Sequence, residues 1–160
     1  MKTIVSRATR RLVTCFLLAL IATVSLAKAQ LMREELGRGE LPNPLFPTAP
    51  YQLRVVKVGI PPHGFGPWHY HPGPAQIIVL PQEDGVGGAT YRLTQDEPGC
   101  PATDYEPGSV AVEPNGPEGS PHVHRPSNPS DKWTYVLITF TLPPGTVDDL
   151  IQVDPQYCEP

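Results

Sequence analysis

Proline restricts this chain more than any other residue. All 22 prolines of the 160-residue sequence fall at or after Pro42, and 14 glycines are spread through the same sequence. A proline inside a helix removes a backbone donor and clashes with the preceding turn, so long helices have little room beyond residue 41. Between the prolines lie short runs rich in Val, Ile, Leu and Tyr, bounded by turn residues. These read as strands over 52–60, 68–71, 76–80, 89–94, 109–112 and 134–142. Strands at this spacing indicate an all-β sandwich or barrel. Segments 82–88, 95–105 and 115–121 read as the loops at its ends. Only residues 31–41 carry helical spacing, and they are expected to form one short N-terminal helix before Pro42.

Residues 1–29 read as an export signal and not as part of the fold. Lys2, Arg7, Arg10 and Arg11 make a basic start, 12–27 is apolar, and Ala27-Lys28-Ala29 is a small-x-small cleavage site. The apolar stretch is shorter than the roughly 20 residues that span a bilayer, so a cleaved signal is expected and not an anchor. Thr9-Arg10-Arg11-Leu12-Val13 also fits a twin-arginine signal. The exported chain would begin at Gln30. Cleavage removes five of the 12 basic side chains and none of the 16 acidic ones, leaving seven against 16, a net charge of −9. That balance disfavours nucleic acid and anionic membranes as partners.

About 130 exported residues suit one domain with one core. The expected organisation is an N-terminal segment over 30–49, a barrel over 50–145 and a tail over 146–160. Cys15 leaves with the signal. Cys100 and Cys158 remain, and in an oxidising compartment the pair is expected to form one disulfide that ties the tail to the loop around Pro98-Gly99-Cys100-Pro101.

The chemistry concentrates in two stretches. In Gly66-Pro67-Trp68-His69-Tyr70-His71 an extended strand puts His69 and His71 on one face, two imidazoles at chelating distance. The turn Pro72-Gly73-Pro74 then folds the chain back and sets Gln76 at the start of the next strand. Far downstream, Pro121-His122-Val123-His124-Arg125-Pro126-Ser127-Asn128 offers two more histidines. These residues resemble the cupin superfamily. His69-x-His71-x4-Gln76 is similar to its first motif, with Gln where the family has Glu. Gly108-x5-Pro114-x-Gly116, followed by His124-x3-Asn128, is similar to its second, with a seven-residue gap where the family has two.

The resemblance implies a single jelly-roll β-barrel with one divalent transition-metal ion, Fe, Mn, Cu, Ni or Zn, on His69, His71, His124 and Gln76. Ligand type alone does not select among these ions. His122, two residues before His124 and on the same strand face, is either a pocket residue or an alternative or additional ligand to His124, and Asn128 is expected beside the site, suited to capping a turn. His63 is expected in a solvated loop, and Arg125 points away from the ion. A neutral Gln in place of Glu would leave the full dipositive charge of the ion in place. Glu113 and Glu118 read as loop residues, so no general base stands out.

The functions implied are a metal-dependent dioxygenase acting on a small organic substrate, or a non-catalytic cupin that binds or senses a metal or small molecule. The Gln substitution and the missing base favour the second. A homodimer is the family's common assembly.

Overall fold

The computed structural model describes residues 30–42, 50–81, 88–115 and 121–159. The expected export signal, most of the loops 82–88 and 115–121, and Glu118 lie outside them. The described residues form ten strands and no helix, in two five-stranded antiparallel sheets. One sheet runs β1 (Met32–Leu41), β2 (Tyr51–Ile60), β9 (Thr134–Leu142), β4 (Ala75–Val79), β7 (Val110–Glu113). The other runs β10 (Ile151–Gln152), β3 (His69–Tyr70), β8 (His124–Ser127), β5 (Tyr91–Gln95), β6 (Ala102–Tyr105). This is the all-β double-sheet architecture that the prolines and short apolar runs predict.

Two expectations are corrected. Residues 31–41 form no helix: Met32–Leu41 is the edge strand β1, paired along β2 with a register shift between Glu35 and Gly37. Gly37 and Gly39 weaken a helix here, and the ladder with β2 satisfies the backbone groups that an isolated short helix would leave to water. Segment 95–105 is not all loop either. Its end is β6, which pairs with β5 from Tyr91↔Tyr105 to Thr94↔Ala102.

Strand alternation builds the core. Ile60, Ile77, Val79, Tyr91, Leu93, Ala111 and Val136 form one buried cluster, and Val56, Ala75, Phe140 and Leu142 a second. Each fully buried Ile or Val contributes about 2 kcal/mol. Turns set the phase of that alternation. Between β3 and β4, Gly73 passes so close to the Thr141 carbonyl oxygen that a Cβ would collide with it, and the Thr141 N–H donates to Pro74 O at 3.0 Å. Ahead of β7, Gly108 has φ +87° and the Ser109 N–H donates to Glu106 O at 2.9 Å. With Pro107 second and Gly108 third, this turn has the residues a type II turn requires.

Asn128 closes the end of β8. Its amide donates to the carbonyl oxygens of Ile60, Pro61 and Lys132, and its Oδ1 accepts from the N–H and hydroxyl of Ser130. It is fully buried and does not line the cavity described below, so its role is the turn and not the pocket. Asn128→Ala leaves these groups unpaired and is expected to cost about 3 kcal/mol. Urea unfolding would read this as a lower midpoint at constant m; a loss under about 0.5 kcal/mol would show that the backbone alone holds the turn.

Candidate metal centre

The second sheet brings the two histidine stretches together. His69 and His124 are direct cross-strand partners, so their side chains leave the same face, and His71 follows two residues after His69 on that face. The ring centroids are 4.6 Å apart for His69–His124, 4.8 Å for His69–His71 and 5.1 Å for His71–His124. All three residues are buried, and their ligand atoms lie within 4.8 Å of one another.

Backbone carbonyls orient each ring. His69 Nδ1 lies 2.9 Å from Pro67 O, His71 Nδ1 2.6 Å from Asp149 O and His124 Nδ1 3.0 Å from His122 O. A carbonyl oxygen only accepts, so each Nδ1 must carry the proton and donate it. Every neutral ring therefore turns an Nε2 lone pair inward. Such an outer carbonyl on the far nitrogen is the usual support of a metal-binding imidazole. Burial, and then the neighbouring His124 and His71, lowers the pKa of His69 to about 3, which keeps it in the neutral form that a metal requires.

The fourth group is Glu113, not Gln76. Gln76 sits on β4 between buried Ala75 and buried Ile77 and faces outward, opposite exposed Val112. The Pro72-Gly73-Pro74 turn delivers Ala75, one residue earlier, to the inside. Ala75 is paired across the sheet with Glu113, and its small side chain leaves room for the longer carboxylate on the next strand. Glu113 Oε2 lies 3.0 Å from His71 Nε2 and 3.3 Å from His124 Nε2. Tyr91 Oη donates to Glu113 Oε1 at 3.2 Å. Burial would push the Glu113 carboxyl up, but its contacts with His124 and His71, hydrogen bonds when a second proton sits on Nε2 in place of a metal, outweigh it and hold the group below the usual carboxylate range. Burial, and then the Glu113 charge, raises the Tyr91 phenol well above its ordinary value, so it stays a donor. Three lone pairs and a carboxylate oxygen thus converge in a buried space. Lone pairs and a carboxylate at this spacing repel one another unless protons or a cation sit between them, and the three histidines fit a divalent metal ion, with Glu113 beside them.

The other predicted residues surround this centre or stand apart. His122 is half-buried, its ring centroid 5.8 Å from that of His124. It acts on the site through its carbonyl, the acceptor of His124 Nδ1. His63 is exposed, 2.8 Å from Asp131 through Nε2. Arg125 lies over the Trp68 and Phe65 rings, away from the histidines. The sequence reading missed the strap that supplies Asp149. Ile151 and Gln152 pair with β3, Arg54 Nη1 donates to Asp149 Oδ2 at 3.1 Å and Arg33 Nη2 to the same oxygen at 2.5 Å. The tail beyond is joined by the Cys100–Cys158 disulfide.

Beside the centre lies a cavity of about 120 Å³ whose wall includes Val58, Tyr91, Val136, Ile138 and Phe140, with His69, His71 and Glu113 on the side of the centre and Arg33 and Asp149 also in its lining.

No protein-family model matches the sequence, and no curated sequence is significantly similar to it. Solved structures are similar in fold. A conserved protein with a double-stranded β-helix domain from Klebsiella pneumoniae subsp. pneumoniae MGH 78578 superposes with a TM-score of 0.53 at 15% identity, covering 80% of this chain and 88% of that one. A cupin superfamily protein from Desulfitobacterium hafniense DCB-2 gives 0.50 at 10% identity, over 77% and 87%. The polyketide cyclase RemF from Streptomyces resistomycificus gives 0.50 at 14% identity, over 81% and 77%.

Proposed function

The chain has the cupin fold, and within that fold we propose that it holds one divalent transition-metal ion on His69, His71, His124 and Glu113 and acts there on a small organic molecule, as a metal-dependent dioxygenase. The observation that carries this reading is the common orientation of the three imidazoles. Each is locked by a carbonyl at Nδ1 and turns Nε2 towards the same buried space, beside the Glu113 carboxylate. A bound redox-active ion supplies the one-electron chemistry with O2 that amino-acid side chains lack. The protein's own groups do the rest: Tyr91 holds the carboxylate in place, the apolar cavity excludes water, and its histidine end receives the substrate's polar group.

Two features of the sequence favour a non-catalytic binding cupin: Gln76 in the place of Glu in the first motif, and the lack of an evident general base. Glu113 answers the first, since it is a buried carboxylate at the centre. That one structural neighbour is a polyketide cyclase also favours catalysis in this fold. The disulfide accords with an oxidising, exported location, and we carry the twin-arginine route and the homodimer forward as part of the proposal.

Elemental analysis of untagged protein from its native compartment tests the reading. One equivalent of metal per chain is expected. His69→Ala and His124→Ala should each abolish stoichiometric binding, whereas His63→Ala, whose ring lies at the surface, should retain it. A His124→Ala protein that keeps its metal while His122→Ala loses it would move the third ligand to His122. Oxygen uptake with small phenols, thiols and carboxylates then separates the dioxygenase from the binder, which would show ligand-dependent stabilisation without turnover.

A further inference from the structure

Building on the proposed metal centre, we infer that its ligand is a monoanion with a single apolar body about the size of one six-membered ring, attached through its one charged group to the histidine end of the cavity. Charge and shape both lead there. Three neutral imidazoles, a divalent ion and the Glu113 carboxylate sum to one net positive charge, buried. A charge in such a place is stable only when it is matched, and one monoanionic group matches it. A dianion would leave a second charge facing hydrocarbon. Glu113, in place of the neutral Gln76, decides this count, because a centre without a carboxylate would call for two negative charges.

Beyond the charged end the wall offers little to any further polar group. Val58, Val136, Ile138 and Phe140 are hydrocarbon, the Tyr91 hydroxyl is committed to Glu113, and the Asp149 carboxylate is taken up by Arg33 and Arg54. Hydroxyls or amines on the ligand body would lose their hydration without replacement. The volume sets the size. At about 120 Å³ the cavity is close to the ~150 Å³ of an engineered apolar cavity that takes up benzene. Sugars, amino acids and dicarboxylates are thereby selected against, and single-ring or branched-alkyl carboxylates, phenolates and thiolates are favoured.

The test uses full-length exported protein reconstituted with zinc, which binds without turning over oxygen, and calorimetric titration with four probes. Benzoate is expected to bind at least tenfold more tightly than acetate, which has the charge without the body. It should also bind at least tenfold more tightly than terephthalate, with its second charge, and 3,4,5-trihydroxybenzoate, with its hydroxyls. Ile138→Trp fills the cavity, and Val58→Phe does so more mildly in case the first variant fails to fold. Either should remove the advantage of benzoate over acetate while zinc stays at one per chain. Zinc bound with no discrimination among the probes, or benzoate binding undiminished in a folded, zinc-loaded filled variant, overturns the inference alone. Failure to bind zinc overturns the metal centre and the inference with it.

Discussion

Replacing Cys100 and Cys158 together with serine is expected to lower the free energy of unfolding by about 4 kcal/mol and to weaken metal binding at a centre neither residue touches. The bond joins residues 58 apart in sequence, and the chain-entropy relation for a loop of that size predicts about 4 kcal/mol. The coupling to the site runs through the C-terminal strap. The Asp96 carboxylate accepts from the N–H groups of Gln156, Tyr157 and Cys158, and Trp68 Nε1 donates to Glu159 O at 3.1 Å. Upstream, the strap pairs with β3 and presents Asp149 O to His71 Nδ1. Without the covalent tie, that acceptor is held by the short β10 ladder, the Val153 N–H to Trp68 O bond, the Arg54 and Arg33 contacts and the hydrogen bonds of the tail. Losing such outer support typically costs 10- to 100-fold in metal affinity. Urea unfolding and a metal titration of the double variant read the two effects separately. A stability loss below about 1 kcal/mol would mean that the tail is held by its hydrogen bonds, and unchanged metal affinity would uncouple the strap from the site.

Acid is expected to destabilise the metal-free protein through His69. Its folded pKa is about 3, depressed by burial and by His124 and His71, against about 6.5 in an unfolded chain. Between those values the unfolded chain binds a proton that the folded one refuses, so stability falls as pH drops from about 6.5 towards 3. At 1.36 kcal/mol per unit, the loss from pH 7 to pH 4 comes to about 3 kcal/mol. Glu113, held below its ordinary range by its contacts with His124 and His71, which in the metal-free protein can donate from a protonated Nε2 and outweigh its burial, acts in the same direction: stability present above its unfolded pKa is lost as pH falls through the folded one. Urea unfolding in chelator at pH 7 and pH 4 should show the wild type losing about 3 kcal/mol more than His69→Ala. Equal losses in the two proteins would mean that His69 is charged in the folded state.

The centre's relation to the sequence is uneven, and the reasons are physical. His69 and His71 are legible because period-two alternation needs only a strand. His124 is legible only through its resemblance to a motif, since the contact that matters, its pairing with His69, spans 55 residues of chain. Glu113 was hidden by an inverted pattern. In Val110-Ala111-Val112-Glu113 the two valines are exposed and the alanine and glutamate are inside, the opposite of what hydrophobicity suggests. The Pro107-Gly108 turn sets that phase, and reading the alternation from the turn would have put Glu113 beside Ala111. The same one-residue logic turned Gln76 outward. In β1 the apolar spacing resembled a helix, and only the backbone groups of β2 made it a strand.

By itself the sequence determined the class of fold and the ingredients of the site. Prolines forbid long helices wherever they fall, and strand alternation puts His69 and His71 on one face in any β architecture. Both are local properties of the backbone. The tertiary structure alone decided which acid joins the histidines, which carbonyls orient them, and how much room lies beside them. Those depend on strand register, where a shift of one residue exchanges inside for outside, and register is set by turns and partners distant in the chain.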